Sequence, residues 1–272
     1  MNTRVARAVA LLGPLLALTT AACSAPAAGT DTEETPSAPV SAPDPVFEVT
    51  DTLRFLRDDL AEIEEETGTE LGISLYDGHI NGHTGTIATL PSWSTVKVPI
   101  ALSAQEHCSY SDAAISSMIE SSIEWSDNAS AYSLLQCVGE ESVEEEVADA
   151  GAVIDVRSAF GRSQWPLASA ARYAWHLSTL DEDNEVIIAM RDVVDGQRWG
   201  LGNLENAAFK GGWSGDRLDG SWHSRQLGFV RVDGQALGIA IAARSPEGSY
   251  VNTTEALDKL AIALGDELGL RG

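Results

Sequence analysis

The stretch Trp93-Ser94-Thr95-Val96-Lys97-Val98-Pro99-Ile100-Ala101-Leu102 sets a serine and a lysine three residues apart where an apolar helix begins. Residues three apart share a helix face, which brings the Lys97 amine toward the Ser94 hydroxyl. A helix N-terminus adds partial positive charge and free N–H groups beside any anion that develops there. A serine hydroxyl is a weak nucleophile at neutral pH and needs a base. Lysine serves as one when burial and a second cation lower its pKa. On its own, Ser-x-x-Lys recurs about once by chance in a serine-rich chain of this length, so its meaning depends on what surrounds it.

Two further motifs follow in order. Ser126-Asp127-Asn128 comes after Trp125 at a helix end or loop. There a hydroxyl can relay a proton to a leaving amine, and an amide can orient Lys97 and a substrate amide. The same tripeptide also reads as an ordinary N-cap for the next helix. Lys210-Gly211-Gly212-Trp213 lies on a predicted strand, where the paired glycines let another backbone approach closely. Lys210 reads either as a contact for a substrate carboxylate and the second cation near Lys97, or as a surface lysine before a turn. The chain has three lysines, Lys97, Lys210 and Lys259, and two of them fall inside these motifs.

The periodicity around the motifs gives the architecture. Leu53, Leu56, Leu60 and Ile63 repeat at helical spacing over 50–67, and Glu70 to Tyr76 alternates into an Asp77-Gly78 turn. A short strand is predicted over Thr86 to Leu90. Helical spacing then covers Val96 to Glu106, Asp112 to Glu124, Ala129 to Gln136, Glu141 to Ala150, Leu167 to Leu180 and Asn184 to Val194. Strands return at Ala207 to Trp213, Arg225 to Val232 and Ala236 to Ala243, with Asp233-Gly234 as a hairpin signal. A closing helix is predicted from Asn252, with Glu255 completing a capping box and Leu257, Leu260, Leu264 and Leu268 on its buried face. This order predicts an α/β protein of the α+β type. An antiparallel sheet of about five strands is flanked by the N- and C-terminal helices, with an all-helical lobe inserted between its strands.

The first residues predict export. Arg4 and Arg7 precede an apolar run from Ala8 to Leu18 that is short for a membrane span. Thr20-Ala21-Ala22-Cys23 then resembles a lipobox, making Cys23 a candidate for lipidation, with simple cleavage as the alternative. Residues 1–23 are thus expected to be a signal peptide, 24–46 an Ala/Pro/Thr/Ser tether, and 47–272 the catalytic domain. In an exported chain, Cys108 and Cys137 form a candidate disulfide, with two free thiols as the other reading. With 17 Lys and Arg against 41 Asp and Glu, the net charge is −24, which argues against a nucleic-acid partner. No metal site is expected from His79, His83, His107, His176 and His223: His79 and His83 are four apart, but Gly82 between them and the turn-like context argue against a helical metal pair, and the sequence has no His-x-His-x-Asp or Cys-x-x-Cys cluster. No cofactor is expected, and membrane association is expected only through a lipid anchor. The chain is expected to be a monomer.

Together the three motifs resemble the Ser-x-x-Lys, Ser-Asp-Asn and Lys-Thr-Gly signatures of class A β-lactamases and penicillin-binding proteins. The resemblance runs from about Val49 to Leu270. Gln197-Arg198-Trp199-Gly200-Leu201-Gly202 and Arg225-Gln226-Leu227-Gly228 also look like actinobacterial exported serine hydrolases of this superfamily. It implies a Ser94 acyl-enzyme, with Lys97 as base and Ser126 as proton relay. Asn128, Lys210, Gly212, Trp213 and Arg225 would bind substrate, with the Ser94 and Trp213 N–H groups as oxyanion hole. The implied substrate is a β-lactam or a peptidoglycan-like peptide. Alternatives on the same scaffold are a D,D-peptidase, an esterase, or a penicillin-sensing or wall-binding lipoprotein without turnover. Three departures matter. Gly211 replaces the usual Thr or Ser, and the span from Lys97 to Ser126 is short. Asp155 to Trp165 contains no glutamate, whereas class A enzymes carry there the one that activates the deacylating water.

Overall fold

The computed structural model describes residues 46–270. The signal segment, Cys23 and all but the last residue of the 24–46 tether lie outside the described residues. Helix α1 (Val49–Thr67) buries Leu53, Leu56, Leu60 and Ile63 and stops at Gly68, whose φ of 64° continues no right-handed helix. Strand β1 (Glu70–Tyr76) leads to a turn in which Asp77 accepts from the N–H groups of His79 and Ile80. The next strand is β2 (Asn81–Gly85), not the predicted Thr86–Leu90. Its sequence, Asn-Gly-His-Thr-Gly, lacks apolar alternation because α1 lies directly on it. A Cβ at Gly82 would run into Leu53 and Val49. Thr86 and Ile87 both donate to Leu71 O, at 2.8 and 3.0 Å, a doubling that bends the chain off the sheet. Thr89–Pro91 (β3) instead pairs with β4 (Gln164–Pro166) in a separate two-stranded ribbon.

The helical lobe holds α2 (Lys97–His107), α3 (Asp112–Ile123) and α4 (Asn128–Asp149). Gly139, at φ 84°, breaks α4 between the two helical spans expected from the sequence. A Cys108–Cys137 disulfide ties the end of α2 to α4. Helices α5 (Leu167–Leu177) and α6 (Glu185–Arg191) lead back to β5 (Ala208–Gly215), β6 (Trp222–Val232) and β7 (Gln235–Ser245). The main sheet runs β2-β1-β7-β6-β5, antiparallel throughout, so β5 is an edge.

Two apolar cores follow from this layering. One lies between the sheet and α1 with α7 (Tyr250–Leu268), and the other joins the opposite face to α5 and the lobe. At Gly238, α5 comes so close to β7 that a Cβ would strike Ala171 O and the Trp175 backbone. Helix α7 begins at Tyr250, two residues before the expected start, because the Ser249 hydroxyl caps it by accepting from Asn252 N at 3.1 Å. Glu255 instead lies 3.6 Å from Lys259, so the predicted capping box does not form. Leu257, Leu260 and Leu264 are fully buried and Leu268 nearly so. Each such side chain contributes roughly 1.5–3 kcal/mol of burial. Among the described residues, no helix is long and apolar enough to cross a membrane.

Candidate active site

Strand β3 ends by delivering Ser94 to the floor of a cleft of about 690 Å³ between the β5 edge and the lobe. Ser92 is fully buried and fixes the approach. Its N–H donates to Ser163 O at 2.7 Å and its hydroxyl to Phe160 O at 3.0 Å. Trp93 follows at φ 47°, a left-handed conformation that costs a non-glycine residue on the order of 1 kcal/mol or more. One 3₁₀ turn (Trp93–Val96) then feeds α2, which starts at Lys97.

Lys97 is buried, and its three donors are all engaged. Nζ donates to Ser126 O at 2.6 Å, Asn128 Oδ1 at 2.8 Å and Ser126 Oγ at 3.2 Å. The amine thus rests on the second motif and not on the Ser94 hydroxyl that helical spacing pointed to. Ser126 itself sits at φ 59°, which turns both its oxygens toward the lysine. Asp127 faces the other way, capping α4 by accepting from Ser130 N at 2.6 Å. Both sequence readings of this tripeptide therefore apply, divided among its residues.

The third motif closes the network from the sheet. Lys210 is fully buried and donates to Ser126 Oγ at 3.1 Å, Gly211 O at 2.9 Å and Gln197 Oε1 at 3.5 Å. Burial lowers the Lys97 pKa to about 8, with the Asp127 charge opposing the shift. Burial, reinforced by the Lys97 charge, holds Lys210 well below its ordinary value. Two lysines thus share one serine oxygen in a site whose burial shifts both toward their neutral forms. The full burial of Lys210 rules out its alternative reading as a surface lysine before a turn and sets it beside Lys97 on Ser126. Gly212 packs against the nucleophile's backbone, where a Cβ would lie 2.6 Å from Ser94 N and 3.0 Å from Ser92 O and Thr95 N. This contact brings the β5 edge beside Ser94, with Trp213 lining the cleft. At Gly211, a side chain would meet the Trp199 ring at 3.2 Å.

Arg225 was expected to touch substrate, and the structure corrects this. It is fully buried, and its Nη1 donates to Leu90 O at 2.8 Å, Trp165 O at 3.0 Å and Pro91 O at 3.4 Å. From β6 it clamps β3 to β4, the strands that lead into Ser94 and out of the 155–165 loop. Its position opposite Gly212 in the β5–β6 register turns the side chain inward.

That loop forms the cleft's other wall. Phe160 stands with its ring centroid 5.8 Å from Lys97 Nζ. Arg162 lies over the Trp93 ring at 5.0 Å, is 44% exposed, and comes no closer than 3.8 Å to Asp216. Asp155, the nearest carboxylate in sequence, is exposed and paired with Arg157. Among the described residues lining the cleft there is no Asp or Glu. Phe160 and Arg162 have no motif of their own in the sequence. Only the missing glutamate in 155–165 marked their region as unusual. Of the tryptophans next to motifs, Trp93 and Trp213 line the cleft, whereas Trp125 is 64% exposed elsewhere.

No protein-family description matches this sequence, and no curated protein matches it either. Solved structures do share its architecture. A class A β-lactamase representative from Bacteroides cellulosilyticus superposes with a TM-score of 0.67 at 14% identity, covering 80% of this chain and 98% of that one. A β-lactamase from Chitinophaga pinensis gives 0.61 at 15% identity over 77% and 98% of the two chains. One from Streptosporangium roseum gives 0.58 at 15% over 79% and 98%. The chain therefore has the class A β-lactamase-like fold.

Proposed function

We propose that this chain is an exported serine enzyme of the hydrolase type that forms a covalent ester on Ser94 with β-lactams or related D-Ala-D-Ala-like amides, and that the ester persists. The observation that carries the reading is the meeting of Lys97 and Lys210 on Ser126 Oγ beside a cleft that contains Ser94 but no carboxylate. Neutral Lys97 takes the Ser94 proton as Oγ attacks the amide carbonyl carbon. The oxyanion is held by the N–H groups of Ser94 and Trp213, typically a large term in acyl transfer. The C–N bond then breaks, the leaving nitrogen receives a proton through Ser126, and the acyl group stays on Ser94. Arg162, the partly exposed cation facing the cleft, is the group that meets the substrate carboxylate.

Hydrolysis of the ester needs an activated water. By the resemblance, class A β-lactamases carry a glutamate in the loop corresponding to 155–165, whereas here that loop sets the Phe160 ring 5.8 Å from Lys97 Nζ, and an apolar ring there disfavours water. This observation favours a long-lived adduct, as in a penicillin-binding peptidase or sensor, over rapid turnover. The test is intact-protein mass during incubation with penicillins and cephalosporins, beside Ser94→Ala and parallel turnover assays. A stable mass increase lost in Ser94→Ala supports the reading. Fast turnover with a transient adduct would replace it with an efficient β-lactamase, and no adduct with any compound would leave an esterase or a binding protein.

Export with a lipid on Cys23 rests on the sequence alone. Metabolic labelling with palmitate should mark the full-length chain and leave Cys23→Ala unlabelled.

A further inference from the structure

The chain carries 41 Asp and Glu against 17 Lys and Arg, yet seven of its eleven described arginines, Arg57, Arg172, Arg191, Arg198, Arg217, Arg225 and Arg231, have no acidic oxygen within 4.0 Å. Three such arginines converge on one concavity of about 580 Å³, formed by Arg191 at the end of α6, Arg198 just beyond it, and Arg231 on β6. Among the described residues none of the three comes within 4.0 Å of an acidic oxygen, whereas Arg54, Arg157, Arg162 and Arg244 all do. Phe229, almost fully buried, and Ala207 give the concavity an apolar floor. Glu182 is the one carboxylate on its rim.

The three guanidiniums are braced but not used up. Arg198 Nη1 donates to Arg191 O at 3.0 Å and Val193 O at 3.5 Å, and Arg191 Nη1 to Glu182 O at 3.4 Å. Arg231 Nη2 donates to Ser178 O at 2.7 Å and Nη1 to Gly234 O at 3.5 Å. Each guanidinium has five N–H donors in a rigid fork, so donors remain at all three after these backbone contacts. Arg198 also lies over the Phe209 ring at 5.5 Å, which fixes its plane. Preorganised forks of this kind match tetrahedral oxyanions, whose several oxygens accept from more than one fork. A net charge of −24 repels anions only over the Debye length, about 8 Å at physiological ionic strength, so the local cations govern the site.

We propose that this concavity binds a phosphoryl-type polyanion, with any organic portion resting on Phe229. It is separate from the Ser94 cleft. It opens beside Ala207, at the start of β5, whereas Trp213 and Ser214 line the cleft near that strand's end, about 20 Å further along at strand rise.

Pyrophosphate is the probe, titrated into the whole protein by calorimetry and by thermal unfolding, with sodium chloride at matched ionic strength as control. The expected result is saturable binding that raises the unfolding midpoint, since a ligand specific to the native state stabilises it. Arg191→Gln and Arg231→Gln should each weaken binding about tenfold, the cost of one lost charge-assisted contact. Glu182→Gln should tighten it severalfold by removing the opposing charge. That variant keeps the proposal testable even if an arginine variant folds poorly. Non-specific salt stabilisation would act on all these variants equally. No saturable binding, or equal responses across the variants, would overturn the proposal.

Discussion

The two walls of the Ser94 cleft differ in chemistry. On one side Lys97, Lys210, Ser126 and Asn128 form a hydrogen-bonded network with buried, pKa-lowered lysines. On the other, the 155–165 loop presents Phe160 and Arg162 with no carboxylate. Forming an ester on Ser94 needs the first wall, and hydrolysing it needs a water activated from the second. On the proposed reading, the contrast teaches that one fold can keep the first half of an acyl-transfer cycle while giving up the second, because separate chain segments serve the two halves.

The largest effect expected is at the base. Lys97→Met keeps volume and burial but removes the proton acceptor, so ester formation on Ser94 should slow by about 10²–10⁴-fold, the range for general-base catalysis. Rapid-quench mass spectrometry with a reactive cephalosporin measures it, and an unchanged rate would mean another group takes the Ser94 proton. The opposite wall is sharpened by Phe160→Glu, which sets a carboxylate over Lys97. Adduct lifetime should fall by about 10²-fold if that base can activate water. Phe160→Ala, which admits water without a base, should shorten it less. Equal lifetimes in all three proteins would show that the loop does not govern the ester's fate.

A pH profile separates the walls without mutation. Only the neutral amine accepts a proton, and the neutral fraction of Lys97 rises with pH through its lowered pKa of about 8. The ester-forming rate should therefore climb about tenfold per pH unit below that value and level off above it. Decay of the ester, lacking a titrating carboxylate in the cleft, should not follow the same curve. A flat formation rate between pH 6 and 9, about two units below the transition and one above it, would place the titrating base elsewhere.

How much of this was legible in the sequence depended on whether a signal was local. The three motifs were readable because each packs its chemistry into three or four consecutive residues, and the helix–strand order followed from apolar spacing. Strand β2 was missed because its glycines answer to α1 above it, a contact that periodicity cannot register. The capping of α7 by Ser249 was misassigned for a milder reason, since Ser249 and Asn252 are both good N-caps and only geometry chooses between them. It is the family resemblance that makes Arg225 an expected substrate contact. Strand register turned it inward to clamp Leu90 and Trp165 instead. Phe160 and Arg162 had no motif of their own, and their places depend on Ser92 pinning the loop, a contact across 68 residues.

That exchange of arginines leads to the smallest effect. With Arg225 fully buried, the arginine that lines the cleft is Arg162, held on the Trp93 ring and only weakly by Asp216. Arg162→Gln should raise the concentration of β-lactam needed for half-maximal acylation by at most about tenfold, since an exposed charge pair is screened by water. The limiting rate should hold, because Lys97 and Ser126 lie outside the change. A decarboxylated substrate analogue should show no difference between Arg162→Gln and the parent protein. A loss in limiting rate, or an equal loss with that analogue, would mean that Arg162 acts on the loop's position and not on the substrate's charge.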